Sequence, residues 1–155
     1  MEIYTNIITK EMIDNTIIPY TSEDSIFNSS LNEVLLLDVK DKFGDEIYDD
    51  LISNGTSGGT FSTVTQELLD DGLRLAIGYY VVSRTMRKPS TLTRYGITNK
   101  LNESLASETA TNAQIVSQSL YYKECADSIV QKLLQSFSPT NANSNFSNRM
   151  RIVGD

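Results

Sequence analysis

The chain has 155 residues, which fits a single domain with one hydrophobic core. Hydrophobic residues make up 39% of the sequence and charged residues 21%, a balance that excludes a wholly disordered chain. The formal net charge of −7 argues against a protein that binds DNA tightly by neutralising phosphates.

The first half of the chain predicts two short helices and one long helix. A short helical segment is predicted around residues 9–13. A capping box at residues 21–24, a hydroxyl followed three residues later by a carboxylate, predicts the start of the long helix, and Gly44 predicts its end. Residues 45–53 predict a helix with acidic outer faces. The long helix predicted before Gly44 has apolar residues at helical spacing. They predict its buried face, which consists of Ile26, Phe27, Leu31, Val34, Leu35, Val39 and Phe43.

The two longest helices are predicted in the middle and toward the end of the chain. Residues 54–59 form a glycine-containing loop that lacks the Gly-Lys-[Ser/Thr] sequence of a phosphate-binding loop. A capping box at residues 63–66 then predicts a helix that ends near Lys88, a length of about 25 residues. Its middle, residues 73–82, is apolar on nearly every face, which predicts either a central position in a bundle or cover by a partner. The basic residues at its end, Arg84, Arg87 and Lys88, suit the negative end of the helix dipole.

A last long helix is predicted from a capping residue at Thr111 to Phe137. Its predicted buried face consists of Ile115, Leu120, Tyr121, Ala126, Ile129, Leu133, Leu134 and Phe137. The connection before it, Pro89–Ala110, is much longer than a helical corner requires. Within this connection residues 91–100 alternate polar and apolar side chains, which predicts a projecting loop or small β-hairpin that pairs with another chain.

The C-terminal residues 138–155 are rich in Asn and Ser and end in a strand-prone sequence. They are predicted to extend from the core, and to add a strand or anchor apolar residues on a neighbour. The sequence therefore predicts an all-α fold, a bundle of about four helices. A helical domain covers residues 1–137 and an extended tail covers 138–155.

The charge is unevenly distributed along the chain. Residues 1–72 contain 15 acidic and 3 basic side chains, a net charge of −12, whereas residues 73–155 contain 5 acidic and 10 basic, a net charge of +5. Two interpretations remain open at this point. The two halves either neutralise each other within the fold, or they form acidic and basic poles that favour head-to-tail association of identical chains.

The residue types that most often support catalysis and metal binding are scarce. There is no histidine, and Cys125 is the single cysteine, which excludes a Cys–His dyad and a Cys/His zinc site. Cys125 is expected to be a small buried residue rather than a reactive thiol. The acidic run that begins at Asp38 departs from the calcium-loop pattern, because Lys40, Lys42 and Phe43 take positions that this pattern needs. We therefore expect no enzymatic activity, no cofactor and no metal, and neither secretion nor a membrane span.

Several short motifs occur in a characteristic order over most of residues 5–137. They are Ile7-Ile8-Thr9-x-Glu11, Phe43-Gly44, Ile47-Tyr48-Asp49-x-Leu51, the long apolar helix closing in Pro89, Thr93-Arg94-Tyr95-Gly96-Ile97-x-x-Lys100 with Glu103-Ser104, and Tyr121-Tyr122-Lys123-x-x-Ala126. Together they resemble the head–tail connector (neck or ring) proteins of tailed bacteriophages, of the type found in crAss-like phages. That family brings no catalytic residues to this chain.

The resemblance implies a structural virion protein that forms a ring of twelve copies beneath the portal, extends the DNA channel and joins the capsid to the tail. Its implied partners are other copies of itself, the portal protein and the next neck or tail protein. Genomic DNA would pass through the channel without sequence-specific binding. The implied location is the head–tail junction of the virion, after synthesis in the bacterial host cytoplasm.

Under this interpretation the connection and the tail contact neighbouring subunits or the portal. The predicted contact residues are Leu92, Arg94, Tyr95, Gly96, Ile97, Lys100, Phe146, Arg149, Met150, Arg151, Ile152 and Val153. The alternative is a monomeric helical module that binds or regulates one protein partner. The sequence leaves open the ring stoichiometry, the face that lines the channel and the neighbour that the tail contacts.

Overall fold

A computed structural model of the chain describes the backbone of residues 1–88 and 105–137, and the side chains of 1–88 and 113–137. These residues are largely helical and contain no strand, so the all-α prediction is confirmed for them. The elements in chain order are α1 (Lys10–Thr16), α2 (Asp24–Glu33), a first π-helical segment (Val34–Val39), α3 (Lys40–Phe43), α4 (Asp45–Asn54), α5 (Thr63–Leu68), a second π-helical segment (Leu69–Leu73), α6 (Arg74–Met86) and α7 (Leu105–Ser136). The predicted hairpin or loop at residues 91–100 and the predicted tail at 138–155 lie outside the described residues.

The long helix predicted after residue 21 runs from α2 through the first π-helical segment to the end of α3. Gly44 ends it with a φ of 94°, the left-handed conformation that glycine adopts without strain. The predicted capping box at its start is wrong, because the N-cap is Glu23 and makes no side-chain capping bond. The carboxylate of Asp24, which the box required, instead forms ion pairs with Lys10 and with the amino group of Met1. These two cations lower the pKa of Asp24 to about 2.

The predicted continuous helix over residues 63–88 is bent at Gly72. This glycine has a φ of 144° and lies in the second π-helical segment, between α5 and α6. The N-cap of α5 is Ser62 rather than the predicted Thr63, since the Ser62 hydroxyl accepts a hydrogen bond from the Thr65 N–H at 3.3 Å. Asp50 in turn accepts hydrogen bonds from the Ser62 N–H and hydroxyl at 3.0 and 2.9 Å, which fixes the position of this cap against α4.

The bend brings Gly72 close to α7. A Cβ atom placed on Gly72 would lie 3.1 Å from Cγ2 of Ile129. We expect Gly72→Ala to lower the free energy of unfolding by about 1–3 kcal/mol through backbone strain, and by a further amount through this close contact. The matched control is Gly58→Ala, because Gly58 also has a positive φ of 89° but a Cβ there would meet open space. Urea unfolding of both variants would measure the difference. Equal losses would contradict a role for the α7 contact.

Helix α6 is the central helix of the described fold. It packs against α2, the first π-helical segment and α7. Most of its side chains are buried, including Ala76, Ile77, Tyr80, Val81 and Val82. Of the two interpretations of this apolar helix, the central position is therefore confirmed. The chain itself covers the helix on most of its faces.

Helix α7 begins at Leu105, six residues before the predicted start at Thr111. Residues 105–110 contain Leu, two Ala and Glu, which favour helix, so the hydroxyl of Thr111 does not mark a boundary. The predicted connection Pro89–Ala110 is correspondingly too long. The stretch between the end of α6 and the start of α7 covers residues 87–104.

Candidate assembly surfaces

The residues predicted to contact neighbours all lie outside the described part of the chain. They are Leu92, Arg94, Tyr95, Gly96, Ile97 and Lys100 of the connection, and Phe146 and Arg149–Val153 of the tail. Their role in assembly remains a prediction. The described residues add apolar surfaces that the sequence did not indicate.

The first of these surfaces is on α7, where Leu120 and Tyr121 are 43% and 59% exposed. Both had been predicted in the core, and that prediction is wrong. Among the described side chains of α7 the buried ones are Ser119, Ala126, Val130 and Leu133, and with Phe137 just after the helix they fall at three-, four- and seven-residue intervals. Leu120 and Tyr121 follow the first of them by one and two positions, about 100° and 200° around the helix. With Val116, which is also exposed, they form the α7 apolar surface.

Ser119 sets this register because it pairs with Ser83 of α6. The Ser83 hydroxyl donates to the Ser119 carbonyl at 2.8 Å, and the Ser119 hydroxyl donates to the Ser83 carbonyl at 3.0 Å. Arg87 Nε also donates to the Ser119 hydroxyl, at 2.8 Å. Both serines are buried, and their polar atoms are satisfied by one another. The hydrophobic pattern of the sequence does not reveal this pair. The small size of both residues is the signal that could have indicated it, because small side chains permit the close approach of the helices.

The second surface is the Leu36–Leu37 pair in the first π-helical segment. Both side chains are exposed, although the neighbouring Leu35 and Asp38 are buried. π-helical turns are frequent at functional sites, and exposed large apolar side chains mark interaction surfaces when they cluster. The pair lies on a different helix from the α7 apolar surface. It gives the subunit a second apolar patch.

The basic residues at the end of α6 contact carboxylates inside the subunit. Arg84 Nη2 lies 2.9 Å from Oδ2 of the buried Asp38, and Arg84 Nη1 lies 3.5 Å from Oε2 of Glu33. Lys88 Nζ lies 2.9 Å from Oε1 of Glu33. These contacts join the basic second half of the chain to the acidic first half. Part of the charge asymmetry is therefore neutralised within the fold.

A second polar cluster joins α3, α6 and α7 around Asp127. The hydroxyl of Tyr80 donates to its carboxylate, Lys123 Nζ lies 3.0 Å from Oδ2 and Lys42 Nζ lies 4.0 Å from Oδ1. Burial raises the pKa of Tyr80, and the bond to Asp127 raises it further. Burial also acts to raise the pKa of Asp127, but the hydrogen bonds from Tyr80 and Lys123 outweigh it and lower this pKa below its ordinary value. The cluster stabilises the packing of three helices.

Cys125 is half-buried rather than fully buried as predicted. It lies one helical turn beyond Tyr121, and a hydrogen bond between the two side chains raises the pKa of Tyr121. Tyr122 stacks on Tyr79 of α6, with ring centroids 6.0 Å apart, and meets the edge of Tyr121 at 5.4 Å. The thiol therefore lies beside a tyrosine cluster at the margin of the α7 apolar surface.

A cavity of about 480 Å³ lies between α1 and the bend at Gly72. Most of its wall is apolar, with Met12 of α1 and Leu75 of α6 both exposed. Within the described residues, no three His, Cys, Asp or Glu side chains are arranged to hold a metal ion. No helix in the same part of the chain is long and apolar enough to cross a membrane.

Comparison with known proteins places most of the chain in one family. Residues 27–148 match the model of a family of unknown function, DUF6712. Neither a curated protein nor a solved structure matches the chain. The match covers well over half of the sequence and includes most of α2 and every later element through α7. The chain therefore belongs to DUF6712, a family whose function is unknown.

Proposed function

We propose that the protein is a structural head–tail connector of a tailed bacteriophage of the crAss-like type, without catalytic activity. It would form a ring of twelve copies beneath the portal, extend the DNA channel and join the capsid to the tail. The observation that carries the proposal is the apolar surface left exposed on two helices of the subunit, at Leu120 and Tyr121 and at Leu36–Leu37. The ordered motifs that resemble connector proteins supply the setting.

A closed ring places specific demands on the surface of its subunit. Each copy meets its two neighbours through two different, complementary surfaces. The α7 apolar surface and the Leu36–Leu37 pair provide apolar side chains on two separate helices for such an interface. The exposed acidic residues of α4, Asp45, Glu46 and Asp49, and the exposed lysines of α7 provide charges of opposite sign for its rim.

The proposal is tested by the mass of the purified protein, measured alone and with the portal protein encoded by the same genome. A connector is expected to give a ring-sized complex on the portal. A protein that stays monomeric at every concentration and with portal present would contradict the proposal. That outcome would instead support a monomeric binding module.

We expect the double variant Leu120→Ser, Tyr121→Ser to weaken ring formation about tenfold or more, because truncation of apolar anchors in an interface core has effects of this size. The free subunit should lose no more than about 1.5 kcal/mol of stability, since both side chains are largely exposed and the change removes only the contacts of Tyr121 with Tyr122 and Cys125. Gln118→Ser, an exposed polar position on the same helix, is the matched control. If the double variant forms rings at the same protein concentration as the wild type, this surface is not part of the interface.

The predicted contact residues of the connection are tested in the same way. Tyr95→Ser combined with Ile97→Ser is expected to preserve the helical content and melting temperature of the subunit and to weaken the ring. Circular dichroism reports on the fold and mass measurement on the assembly. If the subunit itself melts at a lower temperature, these residues belong to its own core, and their assignment to the interface is wrong.

A further inference from the structure

The cavity between α1 and the bend at Gly72 has the size and wall of a binding pocket. Its volume of about 480 Å³ is within the range of small-ligand pockets. The apolar residues that line it are Ile8, Met12, Ile17, Leu69 and Leu75. Met12 and Leu75 are exposed and offer apolar surface to an occupant, whereas Ile8 and Leu69 are almost fully buried.

The polar and charged side chains that line the cavity are Thr16, Asp70, Asp71 and Arg74, which together carry a net charge of −1. Asp70 and Asp71 both line it and are exposed. Asp70 accepts hydrogen bonds from Gln66 at 3.0 Å and Arg74 at 3.4 Å, whereas Asp71 has no ion-pair partner within the described residues. The chemistry of the cavity therefore favours an extended segment that combines apolar side chains with cations.

The chain contains such a segment beyond the last described residue. Residues 149–153 read Arg-Met-Arg-Ile-Val, so an extended conformation would place Met150 and Ile152 on one face and the two arginines on the other. The apolar face matches the wall of the cavity. An arginine on the other face matches Asp71, while Asp70 is shared with Arg74.

The end of α7 lies close enough for this segment to reach the cavity of the same subunit. A Cβ placed on Gly72, which lines the cavity, would lie 3.9 Å from Cδ2 of Leu133, one helical turn before Phe137. The intervening residues 138–148 are rich in Asn and Ser. A random-coil chain of eleven residues would have a root-mean-square span of about 18 Å, which suits attachment sites separated by a few helical turns. A matched tether raises the effective concentration of the segment to the millimolar range.

We propose that residues 149–153 bind in the cavity of their own subunit. Met150 and Ile152 fill the apolar space, and Arg149 and Arg151 lie beside Asp70 and Asp71. The tail is thus held by the free subunit before assembly. This inference concerns a single subunit and does not depend on the proposed ring.

The four methionines of the chain provide probes for a direct test. We suggest a full-length Cys125→Ser, Gly154→Cys protein with a nitroxide label on the new thiol and ¹³C in the methionine methyl groups. The label is expected to broaden the Met12 signal strongly. Met86 is the internal control, because it lies eleven residues beyond Leu75 along α6, about 16 Å away. An unbroadened Met12 signal would overturn the proposal.

A mixed sample separates the subunit's own tail from that of a neighbour. Spin-labelled copies without ¹³C are mixed with ¹³C-labelled copies that carry no nitroxide. Binding within one subunit predicts that Met12 keeps its intensity in this mixture. Broadening in the mixture equal to that in the doubly labelled protein would assign the cavity to a neighbouring copy and overturn the proposal.

Charge reversal in the tail tests the recognition itself. Arg149→Glu combined with Arg151→Glu in the same spin-labelled protein is expected to restore most of the Met12 intensity. Lys132→Glu, an exposed position on α7, is the matched control and should leave the broadening unchanged. Full broadening in the arginine variant would contradict the pairing with Asp70 and Asp71.

Discussion

Replacing Arg84 by methionine is expected to lower the free energy of unfolding by about 1–3 kcal/mol, the range typical of leaving a buried acceptor without its partner. Nε and Nη2 of Arg84 both donate to Oδ2 of Asp38, at 3.1 and 2.9 Å. The Asp38 side chain is only 11% exposed, so its carboxylate would remain buried without a cation. Methionine keeps much of the aliphatic part of the arginine side chain, so the loss of stability comes mainly from the missing charge. Urea unfolding followed by circular dichroism measures it.

Two further variants identify the cause of that loss. Lys123→Met breaks an exposed pair with Asp127, four residues along the same helix, and is expected to cost less than about 0.5 kcal/mol. Asp38→Leu combined with Arg84→Met removes both charges and is expected to recover most of the stability, because an apolar pair has no buried charge left uncompensated. If Arg84→Met costs no more than Lys123→Met, the buried pair does not have the role assigned to it.

Deleting residues 139–155 is expected to abolish assembly on the portal while leaving the helical content nearly unchanged. Helix α7 ends at Ser136, and the last buried core residue in the described part of the chain is Phe137, whose ring lies 5.9 Å from that of Phe43. The deletion therefore removes no described core residue. Portal binding measured by sedimentation or mass, together with a circular dichroism spectrum, tests both parts.

The outcomes of the deletion are distinct. Full portal binding by the shortened protein would remove the tail from the interface and leave the connection and the apolar surfaces as the contacts. A loss of helical content would instead show that the tail contributes to the fold. The control is Lys132→Glu in the full chain, which changes an exposed charge on α7 and should preserve both properties.

The strongly periodic parts of the fold could be predicted from the sequence. Phe27, Leu31 and Val34 recur at helical spacing and are fully buried, and Gly44 ends the helix that carries them. The central position of α6 followed from its apolar faces. In these segments local spacing and burial agree, so one pattern is sufficient to predict both the helix and the face that it buries.

The remaining features depend on contacts between distant parts of the chain. Ser119 faces the core because it pairs with Ser83, and that polar pair turns Leu120 outward against the hydrophobic pattern. Gly72 bends a helix that its sequence would otherwise continue, since α7 packs at that point. The cavity beside Gly72 likewise arises from the meeting of α1 and α6, so no local motif indicates it.

The central claim is that the protein forms a ring beneath the portal, and averaged electron micrographs of the virion neck test it most directly. We expect a ring of twelve helical subunits around the DNA channel, directly below the portal, with density that fits α2 to α7. A portal that joins the tail without such a ring, or purified virions that lack this protein, would contradict the account.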